Sequence, residues 1–368
     1  MDTSQKKYSS LSSKKDLKEK IDLLRKHQYL CDEDLYQLLL CEDPDVLGYL
    51  SLQADAVRRQ VYGDKVYIRG LIEFTNYCKN DCRYCGIARS CTDVCRYRLT
   101  EEEILSCCRK GYALGFRTFV LQGGEDPYWT DDKLTALIAI IRRTFADCAI
   151  TLSVGERSRE SYQRLFDAGA DRYLLRHETA DSHHYQQLHP AEMNFDKRMQ
   201  CLADLKAIGF QVGCGFMVGS PGQTTGHILS DLHFITAFKP HMVGIGPFLP
   251  AEGTPFSAEP AGSARLTVTI LSIIRLLLPQ VLLPATTALG TVCKDGRDLA
   301  LKSGANVIMP NLSPGSVRKK YKIYNNKPAA GDETAEEISR LKASMAQMGY
   351  RVVTTRGDYP HSGAPCEK

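Results

Sequence analysis

The chain has 368 residues, of which 43% are hydrophobic and 24% are charged, so it can bury one large core or two modest ones. A formal charge of +4 is too small to indicate nucleic-acid binding, and Arg275 and Pro279 interrupt the longest apolar run, which argues against a membrane span. Fourteen cysteines spread over a long chain without an apolar N-terminal signal segment predict reduced thiols in a reducing, anaerobic cytoplasm.

The first part of the chain is predicted to be helical. Leu17, Ile21 and Leu24 are apolar residues at helical spacing, and the stretch that starts at Cys31 opens a second helix. We therefore expect an N-terminal helical extension over residues 1–55.

From Lys65 onward, short apolar strands alternate with amphipathic helices. The predicted strands are 65–74, 116–122, 148–154, 172–178, 210–217, 241–247, 280–285 and 305–310. The predicted helices are 101–114, 131–145, 158–168, 195–208, 226–237, 264–278 and 295–303, the first opened by a capping box from Thr100 to Glu103.

Eight strands that alternate with helices predict an α/β fold, a (β/α)8 TIM-type barrel of roughly 250 residues. We expect this barrel over residues 56–326, followed by a C-terminal helix and tail over residues 327–368. A doubly wound open sheet is the alternative. In a barrel, the chemistry lies on the loops that follow the strands, and the unusual residues of this chain fall on those loops.

The loop after the first predicted strand carries Cys78, Cys82 and Cys85 in a C-x3-C-x2-C spacing. A structural zinc site needs four ligands, and Cys91 or Cys95 could supply the fourth. A four-iron cluster held by three thiolates instead keeps one iron open for a small molecule. The amino and carboxylate groups of S-adenosylmethionine (SAM) would suit that iron, and one electron would then break a carbon–sulfur bond.

Further motifs in the chain resemble those of a known family. With Tyr84 before the last cysteine, and Gly123, Gly124 and Glu125 ending the second strand, the chain resembles the radical SAM superfamily. Between about residue 60 and about residue 326 it resembles, more narrowly, the FeFe-hydrogenase maturase HydE family. The strings that carry this likeness are LQGGEDPYW, ADRYLLRHETA, MVGSPGQT, MVGIGPF, PATTALGT and GANVIMPN.

The resemblance implies one 4Fe-4S cluster on the three cysteines and a SAM site beside it. Arg198 would hold the SAM carboxylate, Glu178 the ribose hydroxyls, and Met217 with Met242 the adenosyl group. From spacing alone, Arg198 would instead be a solvated helix residue, Glu178 a helix cap, and both methionines core residues. The full set of implied cofactor residues is Tyr84, Gln122, Gly123, Gly124, Thr151, Ser153, Glu178, Arg198, Met217 and Met242.

Deeper in the barrel, the resemblance implies a polar floor for an anionic or thiolate-bearing substrate. Its catalytic residues would be Arg176, Thr286, Thr287 and Tyr321, together with Thr151. Tyr321 and Tyr324 could equally belong to a tail helix that packs on the barrel. The stretch that follows these tyrosines contains no cysteine, so we expect a single cluster.

The sequence thus predicts a radical SAM enzyme that cleaves SAM to a 5′-deoxyadenosyl radical. The radical would act on a small sulfur- or iron-bearing precursor during assembly of the hydrogenase H-cluster. The alternatives are a mutase like methylornithine synthase and a non-catalytic iron–sulfur carrier or scaffold. Expected partners are the small-molecule substrate, a reductant protein and other hydrogenase maturation proteins, with no nucleic acid and no membrane.

Overall fold

The structure is a computed structural model that describes residues 12–328 and 337–360. It begins with three helices, α1 (Lys14–His27), α2 (Asp32–Leu40) and α3 (Pro44–Tyr62). The side chain of Ser13 caps α1, and Asp43 caps α3 immediately before Pro44. The apolar face predicted for α1 is buried, so these helices share one hydrophobic core with the rest of the chain.

The remaining elements alternate largely as predicted. The strands are β1 (Lys65–Ile68), β2 (Gly70–Thr75), β3 (Thr118–Gly123), β4 (Ala149–Ser153), β5 (Arg172–Leu174), β6 (Gln211–Cys214), β7 (Met217–Val218), β8 (Met242–Val243), β9 (Gly246–Pro247), β10 (Val307–Ile308) and β11 (Arg351–Val353). The helices are α4 (Glu101–Ala113), α5 (Asp131–Thr144), α6 (Arg159–Asp167), α7 (Ser182–Leu188), α8 (Phe195–Ile208), α9 (Thr225–Phe238), α10 (Ala264–Leu277), α11 (Thr287–Val292), α12 (Gly296–Lys302), α13 (Gly315–Arg318) and α14 (Ile338–Gln347).

The fold is α/β with parallel strands. Six strands form one sheet in the order β2-β3-β4-β5-β6-β8. β1, which Arg69 separates from β2, pairs in parallel with β10. Three further parallel bridges continue this pairing from β8 through residues 282–284 to β10 and back to β2: Met242–Leu282, Pro284–Val307 and Leu71–Asn311. Parallel pairing therefore reaches all eight predicted strands.

Two predicted strands are interrupted by glycines that lie side by side. Gly215, with φ +151°, separates β6 from β7, and Gly244 separates β8 from β9. A Cβ atom on Gly215 would lie 2.0 Å from the carbonyl oxygen of Gly244, so only glycine permits this approach of the two backbones. The short helices α7 and α11 were not predicted, because seven and six residues show no helical repeat.

The C-terminal segment differs from the predicted helix and tail. After α14 the chain forms β11, which pairs in parallel with β1. The residues that follow cross the amino ends of the parallel strands, where the carboxylate of Asp358 pairs with the buried guanidinium of Arg172 at 2.6 Å. The predicted C-terminal helix is present as α14, but β11 was not predicted, because a three-residue strand carries too little pattern and its partner is distant in sequence.

The core is continuous between the N-terminal helices and the strand-bearing region. α3 packs along α10, whose side chains are almost all buried. Within the described ranges, no helix is both long enough and apolar enough to cross a bilayer.

Candidate active site

The cysteines of the C-x3-C-x2-C motif lie together on the loop that follows β2. Cys78, Cys82 and Cys85 are half-buried free thiols. Burial raises the pKa of each, that of Cys85 to about 12, and the neighbouring thiols add to this rise for Cys82 and Cys85. Thiols in this state ionise when a metal binds, because the thiolate is the metal ligand.

Cys91 and Cys95 have surroundings of a different kind. The thiol of Cys91 donates to the carbonyl oxygens of Cys85 and Gly253 at 3.7 and 3.6 Å, and Cys95 is exposed. Over the described part of the chain, no three His, Cys, Asp or Glu side chains gather in the way that a single metal ion requires. The three motif cysteines stay the predicted donors, because three thiolates are the ligands of an iron–sulfur cluster with one open iron.

An arginine that was not predicted organises the cysteine loop. The guanidinium of Arg96 donates to four backbone carbonyls at 2.5–3.0 Å, those of Asn76, Ile87, Ala88 and Cys91. Arg96 could not be predicted, because a buried arginine that binds loop carbonyls and an exposed arginine look alike in the sequence.

The glycines at the end of β3 let the cysteine loop approach the sheet. A Cβ atom on Gly124 would lie 2.7 Å from the Cβ of Cys78, and one on Gly123 would lie 2.6 Å from the Cγ2 of Thr75. The cysteine loop therefore excludes a side chain at Gly124, and the last residue of β2 excludes one at Gly123. Next to them, Gln122 is in register with Ser153 and donates to the hydroxyl of Tyr321 at 3.4 Å.

An apolar wall stands beside the loop. Tyr84 packs with Met217, Leu188 and Phe248, and its hydroxyl lies 3.1 Å from Nε2 of His189. Because Nδ1 of His189 lies 2.9 Å from the carbonyl of Tyr185, the ring proton is assigned to Nδ1, and Nε2 accepts from Tyr84. Burial lowers the pKa of His189 to about 3, which keeps the ring neutral.

The segment after β5 brings Arg176 and Glu178 to the same face. Nη2 of Arg176 lies 3.1 Å from Oε2 of Glu178, yet the geometry makes no hydrogen bond for either atom, and Nε of Arg176 also lacks a partner. Buried polar atoms are rarely left in this state without a ligand or water. These two residues therefore present unsatisfied charge to the space next to the cysteine loop.

Arg198 lies on α8 and is buried, so the solvated position that spacing alone suggested is wrong. Its Nε donates to Glu156 at 2.6 Å and its Nη1 donates to the carbonyl of Arg176 at 2.9 Å. Burial lowers its pKa, but the surrounding groups Tyr185 and Glu156 outweigh burial and raise it. A permanent cation is thus held beside the Arg176–Glu178 pair.

The predicted threonines lie around the same interior. The hydroxyls of Thr151 and Thr286 are buried without a hydrogen-bond partner, and Thr287 begins α11 directly after Thr286. A Cβ atom on Gly246 would lie 2.9 Å from Oγ1 of Thr286, so glycine keeps that hydroxyl accessible from the strand side. The hydroxyl of Thr286 thus lies where the polar floor was predicted, whereas Thr151 lines a small cavity with Arg69, Arg172 and Met242, nearer the amino ends.

Met242 is separated from Met217 and does not join this site. It lies at the start of β8 and packs with Tyr67, Leu282 and Val353 on the side of the amino ends. Nη1 of the fully buried Arg69 lies 2.9 Å from its sulfur atom. The structure therefore does not bring the two predicted methionines together: Met217 follows the Gly215 break near the cysteine loop, whereas Met242 precedes the Gly244 break.

Beside the loop lie further charged residues that were not predicted as site residues, Lys79, Glu156 and Arg157, together with Glu125 of the motif that ends β3. Lys79 pairs with Glu125 at 3.3 Å, Glu125 accepts the backbone amide of Glu156, and Glu156 pairs with Arg198. Lys79, Glu125, Glu156 and Arg157 lie around an open cavity of about 480 Å³. Two of them are adjacent to predicted residues, Cys78 and Gly124, and that adjacency was the one available signal.

The residues present fit a cluster and SAM. Three free thiols lie on one short loop, and Glu178, Arg176 and Thr286 each keep a buried polar atom that makes no hydrogen bond. A parallel α/β fold that carries such a loop after its first strand is the arrangement expected of radical SAM enzymes, and comparison with known proteins tests this.

The family model described as the radical SAM superfamily matches residues 72–235. The chain is 43% identical to the "[FeFe] hydrogenase maturase subunit HydE" of Thermotoga maritima, over 80% of this chain and 84% of that protein. It is 32% identical to the 3-methylornithine synthase of Methanosarcina barkeri, over 88% of this chain and 91% of that protein. The crystal structure of methylornithine synthase (PylB) superposes with a TM-score of 0.81 at 29% identity, covering 91% of this chain and 97% of that one.

Fold, loop and matches together define the class as radical SAM enzymes. Within that class, the chain belongs to the family of the [FeFe] hydrogenase maturase subunit HydE.

Proposed function

We propose that this enzyme acts in the maturation of [FeFe]-hydrogenase. It would use SAM and one 4Fe-4S cluster on Cys78, Cys82 and Cys85 to modify a small sulfur- or iron-bearing precursor of the H-cluster. The observation that carries the proposal is the three-thiol loop beside the unsatisfied Arg176–Glu178 pair. The 43% identity to the Thermotoga maritima maturase supports the choice of pathway.

The cofactor would be held by side chains of the cysteine loop and of the segments that follow the strands. Arg198 would bind the SAM carboxylate by a charge-assisted hydrogen bond, and Glu178 would accept from the ribose hydroxyls. Ser153 would help Arg198 to hold the carboxylate. The strand end from Gln122 to Gly124 would receive the amino group, and Tyr84 with Met217 would flank the adenosyl group. When bound, the reduced cluster and SAM supply a 5′-deoxyadenosyl radical.

The substrate would lie on the inner side of the cofactor. Arg176, with two unpaired nitrogens, would hold an anionic group, and Thr151, Thr286 and Thr287 would donate hydroxyl hydrogen bonds. Tyr321 is buried, and burial raises its pKa, so it would act as a neutral phenol. Holding the substrate in an interior position excludes water and oxygen from a reactive carbon radical.

We also propose that the parallel strands close into the (β/α)8 TIM-type barrel, over residues 56–326. The bridges at Leu282, Pro284 and Asn311 support this closure. Residues 1–55 would form the N-terminal extension and residues 327–368 the C-terminal part. A reducing, anaerobic cytoplasm, a reductant protein and other maturation proteins would complete its setting.

A second candidate is a carbon-skeleton mutase like methylornithine synthase. The 32% identity to the Methanosarcina barkeri enzyme and the TM-score of 0.81 favour it. Both candidates would consume SAM, whereas a non-catalytic carrier would not. The two candidate enzymes differ in one respect that can be tested: activation of the hydrogenase depends on a maturase and does not depend on a mutase.

The test begins with anaerobic iron and sulfide analysis and electron paramagnetic resonance (EPR) spectra of the reduced protein with and without SAM. We expect about four irons per chain, a signal that shifts with SAM, and 5′-deoxyadenosine as a product. Maturation of apo-hydrogenase should then depend on this chain in a mixture of the other maturation proteins. A cluster indifferent to SAM would contradict the enzyme, and SAM cleavage without hydrogenase maturation would favour the mutase.

A further inference from the structure

Glu178 has an unusual backbone conformation. Its φ is +66°, and it is one of four described non-glycine residues with positive φ. Gln28 and Lys239 end helices, where this conformation is common, and Asn326 is of a residue type that tolerates it. Glu178 has neither explanation and is 7% exposed. A carboxylate-bearing residue held in this conformation needs its neighbours to maintain it.

The residues on both sides of Glu178 are fixed by a single carboxylate on α9. Oδ1 of Asp231 lies 3.2 Å from Nε2 of His177 and accepts the backbone amide of Ala180 at 2.6 Å. The first partner precedes Glu178 by one residue and the second follows it by two. The side chain of Asp231 therefore binds the chain on both sides of Glu178.

The tautomer of His177 is determined by its other neighbour. Nδ1 accepts the backbone amide of Gly215 at 3.3 Å, so the ring proton lies on Nε2 and is donated to Asp231. The amide of Glu178 in turn donates to the carbonyl of Gly215 at 3.0 Å. His177 thus fixes Glu178 relative to the next strand, at the glycine where that strand breaks.

The pair is completely buried and only partly satisfied. His177 and Asp231 are both 0% exposed, and Oδ2 of Asp231 has no hydrogen-bond partner. The ring of His177 packs against Phe216 and Phe234, with centroids 5.7 and 4.7 Å away. Apolar side chains would fill this space at lower cost than a half-satisfied carboxylate, so stability alone gives no reason for the pair.

We infer that His177 and Asp231 are positioning residues that hold Glu178, and with it the backbone of Arg176, in the orientation needed to bind the adenosyl half of SAM. The inference rests on the proposed function of Glu178. Arg198 also donates to the carbonyl of Arg176, so the carboxylate-binding arginine is connected to the same segment. Neither His177 nor Asp231 would touch the cofactor.

The experiment measures SAM affinity by titrating the EPR signal of the reconstituted, reduced protein, alongside iron content and melting temperature. Asp231→Ala should weaken SAM binding by roughly tenfold or more at unchanged iron content, as loss of an outer-shell partner does. Asp231→Asn keeps an acceptor for the amide of Ala180 and should recover most of that affinity.

The matched control is Asp171→Ala. Asp171 also accepts a backbone amide, that of Ile150, and pairs with Arg142 and Arg356, but at the opposite end of the strands. It should lower the melting temperature and leave SAM affinity unchanged. If Asp231→Ala fails to fold, His177→Phe keeps the aromatic packing, removes both ring hydrogen bonds, and should weaken SAM binding in the same way.

Glu178→Gln distinguishes a failure of the positioning role from a failure of the proposed cofactor site. If Glu178→Gln weakens SAM binding but neither Asp231→Ala nor His177→Phe does so beyond Asp171→Ala, the positioning role is wrong. If Glu178→Gln itself leaves SAM affinity unchanged, the proposed cofactor site is wrong, and the positioning role is overturned with it.

Discussion

Polar side chains are hydrogen-bonded to different extents at the two ends of the parallel strands. At the amino ends, the C-terminal segment supplies partners: Arg172 pairs with Asp358, and the hydroxyl of Thr118 donates to the carbonyl of Arg356. At the carboxyl ends, Arg176, Glu178 and Thr286 all keep unpartnered atoms. The difference indicates where the protein has completed its own hydrogen bonding and where a ligand is needed to complete it.

Arg69 marks the boundary between these ends. It is fully buried; its guanidinium reaches the sulfur of Met242 and the carbonyl of Gly357, and its Nε has no partner. Burial lowers its pKa well below the usual value. The amino end is therefore well satisfied at its outer layer and less so toward the interior, where Thr151 also keeps a free hydroxyl.

The largest expected effect comes from removing a cluster ligand at the carboxyl ends. Cys82→Ala should abolish the SAM-dependent EPR shift and 5′-deoxyadenosine formation, because two thiolates cannot hold the cluster in its open-iron form. The far-ultraviolet circular dichroism spectrum should not change, since Cys82 lies on a loop. Cys95→Ala is the control and should keep full iron content. Full activity in the Cys82 variant would refute the cluster assignment.

A smaller effect is expected for the buried cation beside the loop. Arg198→Ala should weaken SAM binding by about tenfold or more, because it removes the proposed carboxylate partner and leaves Glu156 buried without its ion pair. Arg159→Ala removes an arginine that is half exposed and pairs with Asp204, and it should leave the affinity unchanged. Equal affinities in the two variants would contradict the role of Arg198.

The carboxyl ends were more predictable from sequence than the amino ends. Cys78, Cys82 and Cys85 stand close together in sequence, and their spacing alone indicates a metal site. The apolar stretches that precede Arg176, Glu178 and Thr286 were predicted from their regular patterns. The Arg172–Asp358 pair joins residues far apart in the chain, and no local sequence pattern predicts it.

The same reason explains the residues that were missed within the site. Arg96 and Glu156 act through contacts with loops that come together only in the folded chain. Asp231 reaches His177 from a separate helix. Met242 was misplaced because two strands break at Gly215 and Gly244, and an apolar pattern does not show at which level of a barrel a methionine lies.

Acid should weaken the amino ends selectively. Burial raises the pKa of Asp358, but the positive charges of Arg172 and Arg356 outweigh it and lower the pKa to about 2. Because the unfolded value is about 4, this carboxylate stabilises the fold above pH ~4, and the contribution is lost as the pH falls toward 2. Burial also lowers the pKa of Arg172, which remains charged throughout this range.

Asp358→Ala should therefore lower the free energy of unfolding by about 1–2 kcal/mol at neutral pH, a value discounted for the partial exposure of the carboxylate. The difference from the unsubstituted chain should shrink as the pH falls below about 4. Denaturant unfolding at a series of pH values measures both effects. SAM affinity should not change, and a loss of affinity would show that the amino ends also shape the cofactor site.

The smallest effect is expected for Met242. Its counterpart at the carboxyl ends is Met217, so the two ends can be compared by the same substitution. Met242→Leu conserves volume in a packed apolar region and should cost less than about 1.5 kcal/mol, with no change in SAM affinity. Met217→Leu is the matched substitution on the other side of the glycine breaks, next to Tyr84, and should weaken SAM binding measurably. If the Met242 variant loses affinity as much as the Met217 variant, then Met242 contacts the adenosyl group after all, and the separation of the two ends at this level is wrong.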